Sequence, residues 1–314
     1  MHRVRLKIAY DGTQFAGWQQ QKGQRTVEGE LNRALCALTK EEISVIGASR
    51  TDSGVHAEGN IAVFDTDSPI PPERMYLALN RVLPDDVRAV RSECCAPDWH
   101  PRHTAAEKTY LYRIWNAETA SPTRRLYAYH CPYHLELSRM RAAAERLLGE
   151  HDFTSFSNPA SQVLLRGGSA VREIYELSVL TETDAGSGTG AGTGVDTGTG
   201  SGIGADTGAD ARMGTDTGAR IRANADAAEC TGMKEIKADA REYYGEILIR
   251  VRGSGFLYHM VRIIAGTLVR AGMGQYTPED IDAMLAAKNR TVTGPTAPAN
   301  GLCLYEIRYA NERS

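Results

Sequence analysis

A chain of 314 residues, 42% of them hydrophobic, is long enough for one large domain or two smaller ones with packed cores. The net charge is only −3, and no run of about 18 apolar residues marks a membrane-spanning helix. The six cysteines are scattered, and the basic start MHRVRLKIAY lacks the apolar core and cleavage site of a signal peptide, so the expectation is a reduced, cytoplasmic protein with no membrane partner.

The predicted elements begin with RVRLKIAYDG (3–12). It alternates Val4, Leu6 and Ile8 with Arg3, Arg5 and Lys7, the pattern of a half-buried strand with a cationic outer face. Val27, Leu31, Ala34, Leu35 and Leu38 then fall at helical spacing behind Thr26, a candidate N-cap. Strand-like ISVIGA (43–48) and NIAVFDT (60–66) bracket the loop GASRTDSGVHA (47–57). A short helix near 73–81 and a strand VRAVRSECC (87–95) complete a first half, residues 1–105.

The second half, 106–314, opens with the strand KTYLYRIWN (108–116). Next comes a helix capped by Ser138, carrying Met140, Ala144, Leu147 and Leu148 and stopping at Gly149. VREIYELSVL (171–180) and YYGEILIRVRG (243–253) read as a hairpin interrupted by a Gly/Thr/Asp/Ala-rich insertion at about 184–232. Residues 185–218 alone hold 12 of the 31 glycines. Such a composition buries too little apolar surface to offset its ordering entropy, so a flexible linker is expected there. FLYHMVRIIAGTLVRAG (256–272) has helical spacing from Phe256, and a last helix starts at Thr277 with Pro278 in its first position. CLYEIRYA (303–310) is a closing strand. Strand, helix, strand pair, helix, strand, given twice, predicts an α+β fold: two ferredoxin-like (RNP-like) units sharing a largely antiparallel extended sheet flanked by helices.

Charge is unevenly spread along this plan. Residues 181–240 hold ten acids against five bases, so the rest is slightly basic and compatible with an anionic partner. Candidate phosphate contacts are Arg3, Arg5, Lys7, Arg102, His103, Lys108 and the Arg124–Arg125 pair, each of which also fits an ordinary solvated face. His56, His100, His103 and His259 lack the spacing of a metal site; contacts to a phosphate backbone or packing roles suit them better.

The loop carries the chemistry. An Asp before Ser-Gly is a common Asx-turn acid. Here Arg50 stands two residues before Asp52, and Gly54 permits a sharp turn. A neighbouring cation favours the ionised form of a partly buried carboxylate, which is then suited to act as nucleophile or base.

GASRTDSGVHA resembles the GxGRTDxGVHA signature of tRNA pseudouridine synthases of the TruA family. Further blocks resemble the family in its own order: IAYDGTQFAGWQQQ (8–21), PDWHPRHTAAEKTYLYRI (97–114), GEHDFTSFS (149–157), VREIYEL (171–177), GSGFLYHMVRIIAGTLVRAG (253–272) and APANGLCLYEIRY (297–309). Ser49 and Ser53 depart from the family's usual residues, and the insertion is foreign to its pattern. The resemblance implies the pseudouridine synthase fold and conversion of uridine to pseudouridine at positions 38, 39 and 40 of the tRNA anticodon stem-loop. It also implies no metal or other cofactor, and a homodimer whose two subunits both touch one tRNA.

The resemblance assigns roles residue by residue. Asp52 is the nucleophile, and the residues leave open whether it attacks C1′ of the sugar or C6 of the base. Arg262, which local sequence alone reads as a helix-surface arginine, pairs with Asp52. Arg50 fixes the loop and fills the space left by a flipped nucleotide. Tyr110, otherwise one of two half-buried strand tyrosines with Tyr112, stacks on the uracil. Gly301 and Leu302 wall the base pocket. Two rivals stand beside this: a catalytically inactive RNA-binding module of the same fold, and a hydrolase using Asp52 as a base.

Overall fold

The computed structural model of the protein describes residues 1–181, 184 and 244–310; the insertion expected at about 184–232 lies, Asp184 apart, outside them. The α and β elements of the described residues are, in chain order, β1 (His2–Tyr10), α1 (Val27–Thr39), β2 (Ile46–Gly47), β3 (His56–Thr66), α2 (Met75–Leu79), β4 (Val87–Cys95), β5 (Ala106–Asn116), β6 (Tyr129–Cys131), α3 (Leu137–Glu145), β7 (Gly149–Asp152), α4 (Gln162–Leu165), β8 (Val171–Thr181), β9 (Gly245–Gly253), α5 (Met260–Gly272), α6 (Pro278–Ala287) and β10 (Leu302–Tyr309).

All ten strands of the described residues join one sheet in the order β4-β1-β3-β10-β5-β9-β8-β7, with β2 on β3 and β6 on β5. Pairing is antiparallel except for β10 with β3 and β6 with β5. The expected α+β architecture, with a mostly antiparallel sheet and flanking helices, is therefore the observed one. β8 and β9 form the predicted antiparallel pair, from Ile174 opposite Gly253 to Thr181 opposite Ile247. β10 lies between β3 and β5, so one short strand joins the sheet segments of both halves of the sequence.

The alternation in β1 works as predicted: Val4, Leu6, Ile8 and also Tyr10 are buried. They belong to one contiguous core with Val27, Leu31 and Leu35 of α1 and Met260, Ile263, Ile264 and Leu268 of α5. Thr26 caps α1 by accepting from Gly29 N at 3.3 Å. Thr277 and Asp280 form a full capping box at the start of α6, with Pro278 at its first position.

Three local expectations are corrected. Ser138 is not a cap: α3 begins at Leu137 behind Glu136, which makes no side-chain cap bond. ISVIGA contributes only Ile46 and Gly47 to the sheet. The helix expected from Phe256 starts at Met260, because His259 ahead of it has φ 63°, a left-handed conformation that helical continuation excludes. Phe256 instead sets its ring edge-on to Tyr110, centroids 5.2 Å apart.

Candidate active site

Asp52 stands on the loop between β2 and β3, where β3, β10 and β5 run side by side. A tight turn shapes the loop. Val55 N returns to Asp52 O at 3.2 Å, and Gly54 supplies the required positive φ of 77°. The segment 12–18 forms a cradle behind it: Phe15 O accepts from Gly54 N and from the Ser53 hydroxyl, each at 3.2 Å, and Trp18 N donates to Thr51 O at 3.0 Å. Gly17 sits there at φ 99°. A Cβ on it would lie 2.8 Å from Thr51 O and 3.2 Å from the Asp52 carbonyl carbon, so only glycine lets the cradle close.

Beneath the loop runs a buried polar chain. The Ser49 and Tyr110 hydroxyls bond at 2.9 Å. Fully buried Asn60 grips Ser49 twice, accepting from its N–H at 3.3 Å and donating to its carbonyl at 3.0 Å. The same amide donates to Tyr10 Oη at 3.3 Å, and Tyr10 Oη bonds Thr51 Oγ1 at 2.7 Å. Residues on both sides of Arg50 are thereby fixed through buried groups, which makes each bond costly to lose. Burial is also the main reason the Tyr110 phenol is pushed up to about 12; the Ser49 bond opposes this and the Asp52 charge adds to it.

Arg262 reaches the loop from the first turn of α5. Its Nη1 lies 3.3 Å from Asp52 Oδ2 and its Nε donates to Ala297 O at 2.7 Å, while Ala297 N bonds back to Arg262 O at 3.0 Å. His259 Nε2 lies 3.5 Å from the same carboxylate oxygen. Among the described residues no hydrogen bond or ion pair falls on Oδ1, and the Asp52 side chain keeps 17% of its surface open. The arrangement is one acid gripped at one oxygen by a guanidinium that the Ala297 carbonyl holds in place.

The remaining expected residues divide sharply. Arg50 is exposed and makes no hydrogen bond or ion pair with a described residue, so its neighbours Ser49 and Thr51 hold the loop instead. Arg3 and Arg5 are not free cations. Arg3 forms a two-pronged pair with Asp65 at 2.8 and 2.7 Å, and Arg5 pairs with Glu93 and lies over the Trp99 and Tyr309 rings. Acids on the neighbouring strands β3 and β4 neutralise that face, which sequence alternation alone does not show. Lys7 has no such acid among its described contacts. Arg124 is likewise taken up by Glu246. Lys108 points inward and donates to Ala48 O at 3.2 Å; burial, helped by Arg102 and Arg172, pushes its ammonium down to about 8. Arg102 is exposed and close enough to Arg50 to feel its charge. Gly301 and Leu302 are buried against Tyr112: a Cβ at 301 would meet its ring and Arg113 O, each at 2.8 Å.

His56 is a scaffold residue, accepting from Gly12 N at 3.1 Å and contacting Leu126 O at 2.9 Å, while His100 and His103 stack on each other 4.0 Å apart. Among the described residues no group of three His, Cys, Asp or Glu side chains could hold a metal ion, and no helix is long and apolar enough to cross a membrane. Sequence reasoning missed Ser49, Asn60, Phe256 and His259 as partners of the site. Only His259 carried a signal, three residues before Arg262.

A carboxylate, a guanidinium and an aromatic ring thus gather where β3, β10 and β5 run side by side, in a chain whose relatives are RNA-modifying enzymes. A sequence model of the family described as tRNA pseudouridine synthase matches residues 7–103 and 143–310, and the chain belongs to that family. A Bacillus subtilis protein named tRNA pseudouridine synthase A is 37% identical over 311 residues, covering 98% of this chain and all of its own. Proteins of the same name from Bacillus pumilus and Clostridium acetobutylicum are 36% and 35% identical over 311 and 309 residues, with the same coverage.

Proposed function

We infer that the protein isomerises uridine to pseudouridine in tRNA, at positions 38, 39 and 40 of the anticodon stem-loop, with Asp52 as nucleophile. The observation that carries this reading is the convergence of Asp52, Arg262 and Tyr110 in a member of the tRNA pseudouridine synthase family. In the reaction the N1–C1′ bond breaks, the base turns, and a C5–C1′ bond forms. C5 loses a proton and N1 gains one, so atoms and electrons balance without a redox partner.

Oδ1 of Asp52 adds to the nucleotide, at C1′ or at C6, while Arg262 holds Oδ2 and so fixes the direction of attack. Tyr110 gives its ring for stacking and presents its oxygen to the C5 proton, with Ser49 holding that oxygen in place. Arg50 enters the space of the flipped nucleotide, which its lack of an internal partner leaves it free to do. Arg102, together with Arg50 and Lys7, supplies the cations that meet the phosphates. On the same reading the enzyme works in the cytoplasm as a homodimer.

The test is incubation with unmodified tRNA transcript and chemical mapping of pseudouridine, with D52A as control. Conversion without change of mass by the wild type, and retained tRNA binding with no conversion by D52A, are expected. Conversion by D52A overturns the nucleophile. Binding without conversion by the wild type identifies an inactive module, and a released base or cut backbone identifies a hydrolase. Sedimentation as a monomer at micromolar concentration removes the dimer.

A further inference from the structure

We propose that His259 is a positioning residue for Asp52, locked by Asn158 as the neutral imidazole that carries its hydrogen on Nε2. The proposal rests on the reading of Asp52 as nucleophile.

The argument starts from Asn158, whose amide can face only one way. Its Oδ1 accepts from Ala160 N at 2.9 Å, which leaves Nδ2 against His259 Nδ1 at 3.1 Å. An amide NH2 only donates, so Nδ1 must accept, and a neutral ring then carries its hydrogen on Nε2. That nitrogen is the one lying 3.5 Å from Asp52 Oδ2. The separation exceeds a good hydrogen bond, and such contacts tighten when substrate closes a site.

The backbone is arranged to keep the ring there. Asn158 N bonds Tyr258 O at 3.0 Å and Ser161 N bonds Asn158 O at 2.9 Å, so the loop after β7 is stitched to the residue before His259. His259 holds φ 63°. Among the described residues only Lys40 and Lys288 share a positive φ without being glycine, and both end helices, where that conformation is common. At the start of a helix it costs energy and turns the side chain toward the loop.

The charged groups facing the ring are Asp52 from the loop, Arg262 from α5 and Arg290 from the turn after α6. Burial foremost, then the two arginines, hold the imidazole below its usual range against the pull of Asp52. It therefore stays uncharged at neutral pH. A neutral donor steadies Oδ2 without the tight ion pair that an imidazolium would form, which would blunt the nucleophile. Covalent engagement of Asp52 removes its negative charge and with it the one influence favouring protonation, so the ring serves as a fixed donor rather than a proton carrier.

The experiment uses the full-length enzyme, unmodified tRNA transcript, and 15N-labelled histidine for ring NMR. Wild type should show a neutral Nε2–H signal for His259. H259L should lose kcat by roughly tenfold to a hundredfold with KM for tRNA little changed. H259Q, whose amide can donate from nearly the same place, should recover most of that loss. N158D is nearly isosteric, but its carboxylate accepts where the amide donated. It should draw a proton onto Nδ1, raise the pH of the acid limb of kcat and lower kcat at pH 7, without touching the histidine should H259L fail to fold. A wild-type ring protonated on Nδ1, or H259L with unchanged kcat, overturns the proposal. A wild type that makes no pseudouridine instead overturns the functional reading, while the NMR signal still decides the tautomer.

Discussion

Ser49 occupies the place where related signatures usually carry glycine, and its backbone is not at positive φ, so the substitution brings no strain of that kind. It brings a hydroxyl 2.9 Å from the Tyr110 phenol. S49A should leave that phenol without its partner and destabilise the fold by about 1 kcal/mol. It should lower kcat more than tRNA affinity, which single-turnover kinetics beside filter binding would separate; equal losses in both would place the bond in the scaffold alone. Lys108 gives a pH signature. Its ammonium is depressed from 10.5 to about 8 in the folded protein. Between those values the unfolded chain binds the proton and the folded one does not, so stability from this group rises with pH across that window. The rise is on the order of 3 kcal/mol. Urea titrations from pH 7 to 11 should show a rise in wild type that is much smaller in K108M. A rise of equal size in both would remove Lys108 as its source.

The cradle of residues 12–18 matters more to the active loop than the loop's own composition. G17A combines a φ of 99° with a Cβ 2.8 Å from Thr51 O, so the cradle must open. Strain and overpacking together should cost about 2–4 kcal/mol and lower Tm by roughly 5 °C or more. Activity should fall further than the loss of folded protein explains, because Asp52 moves with the cradle; activity proportional to folded fraction would refute that coupling. Such couplings explain what was legible in the sequence. β1, α1, β5 and α6 follow from periodicity and caps, because those signals are local. The start of α5 does not, since a left-handed residue at 259 leaves no mark on hydrophobic spacing. Asp52 stood out from its own loop, whereas Tyr110 and Arg262 were singled out only by the motif resemblance. Asn60 and Ser49 act through contacts between elements far apart in sequence, which no local pattern records.

Across the whole molecule, the cations sort by whether an acid answers them. Arg3 and Arg5 are held by Asp65 and Glu93, whereas Arg102 stands exposed beside Arg50. R102A should reduce the slope of log tRNA affinity against log salt by about 0.7–0.9, while R3A and R5A should leave it nearly unchanged. Slopes altered equally by all three would show that the ion pairs of β1 open for RNA. A different consequence comes from β10. It is made by the ribosome after every other strand, yet it fills the gap between β3 and β5. Until it is released, the stretches of those edges that β10 pairs, His56–Ala57 of β3 and Ala106–Tyr112 of β5, stand open and able to adhere to other nascent chains, so the growing protein needs shielding for most of its synthesis. A premature stop before Leu302 would therefore leave no partly working enzyme, only two exposed sheet fragments prone to aggregate.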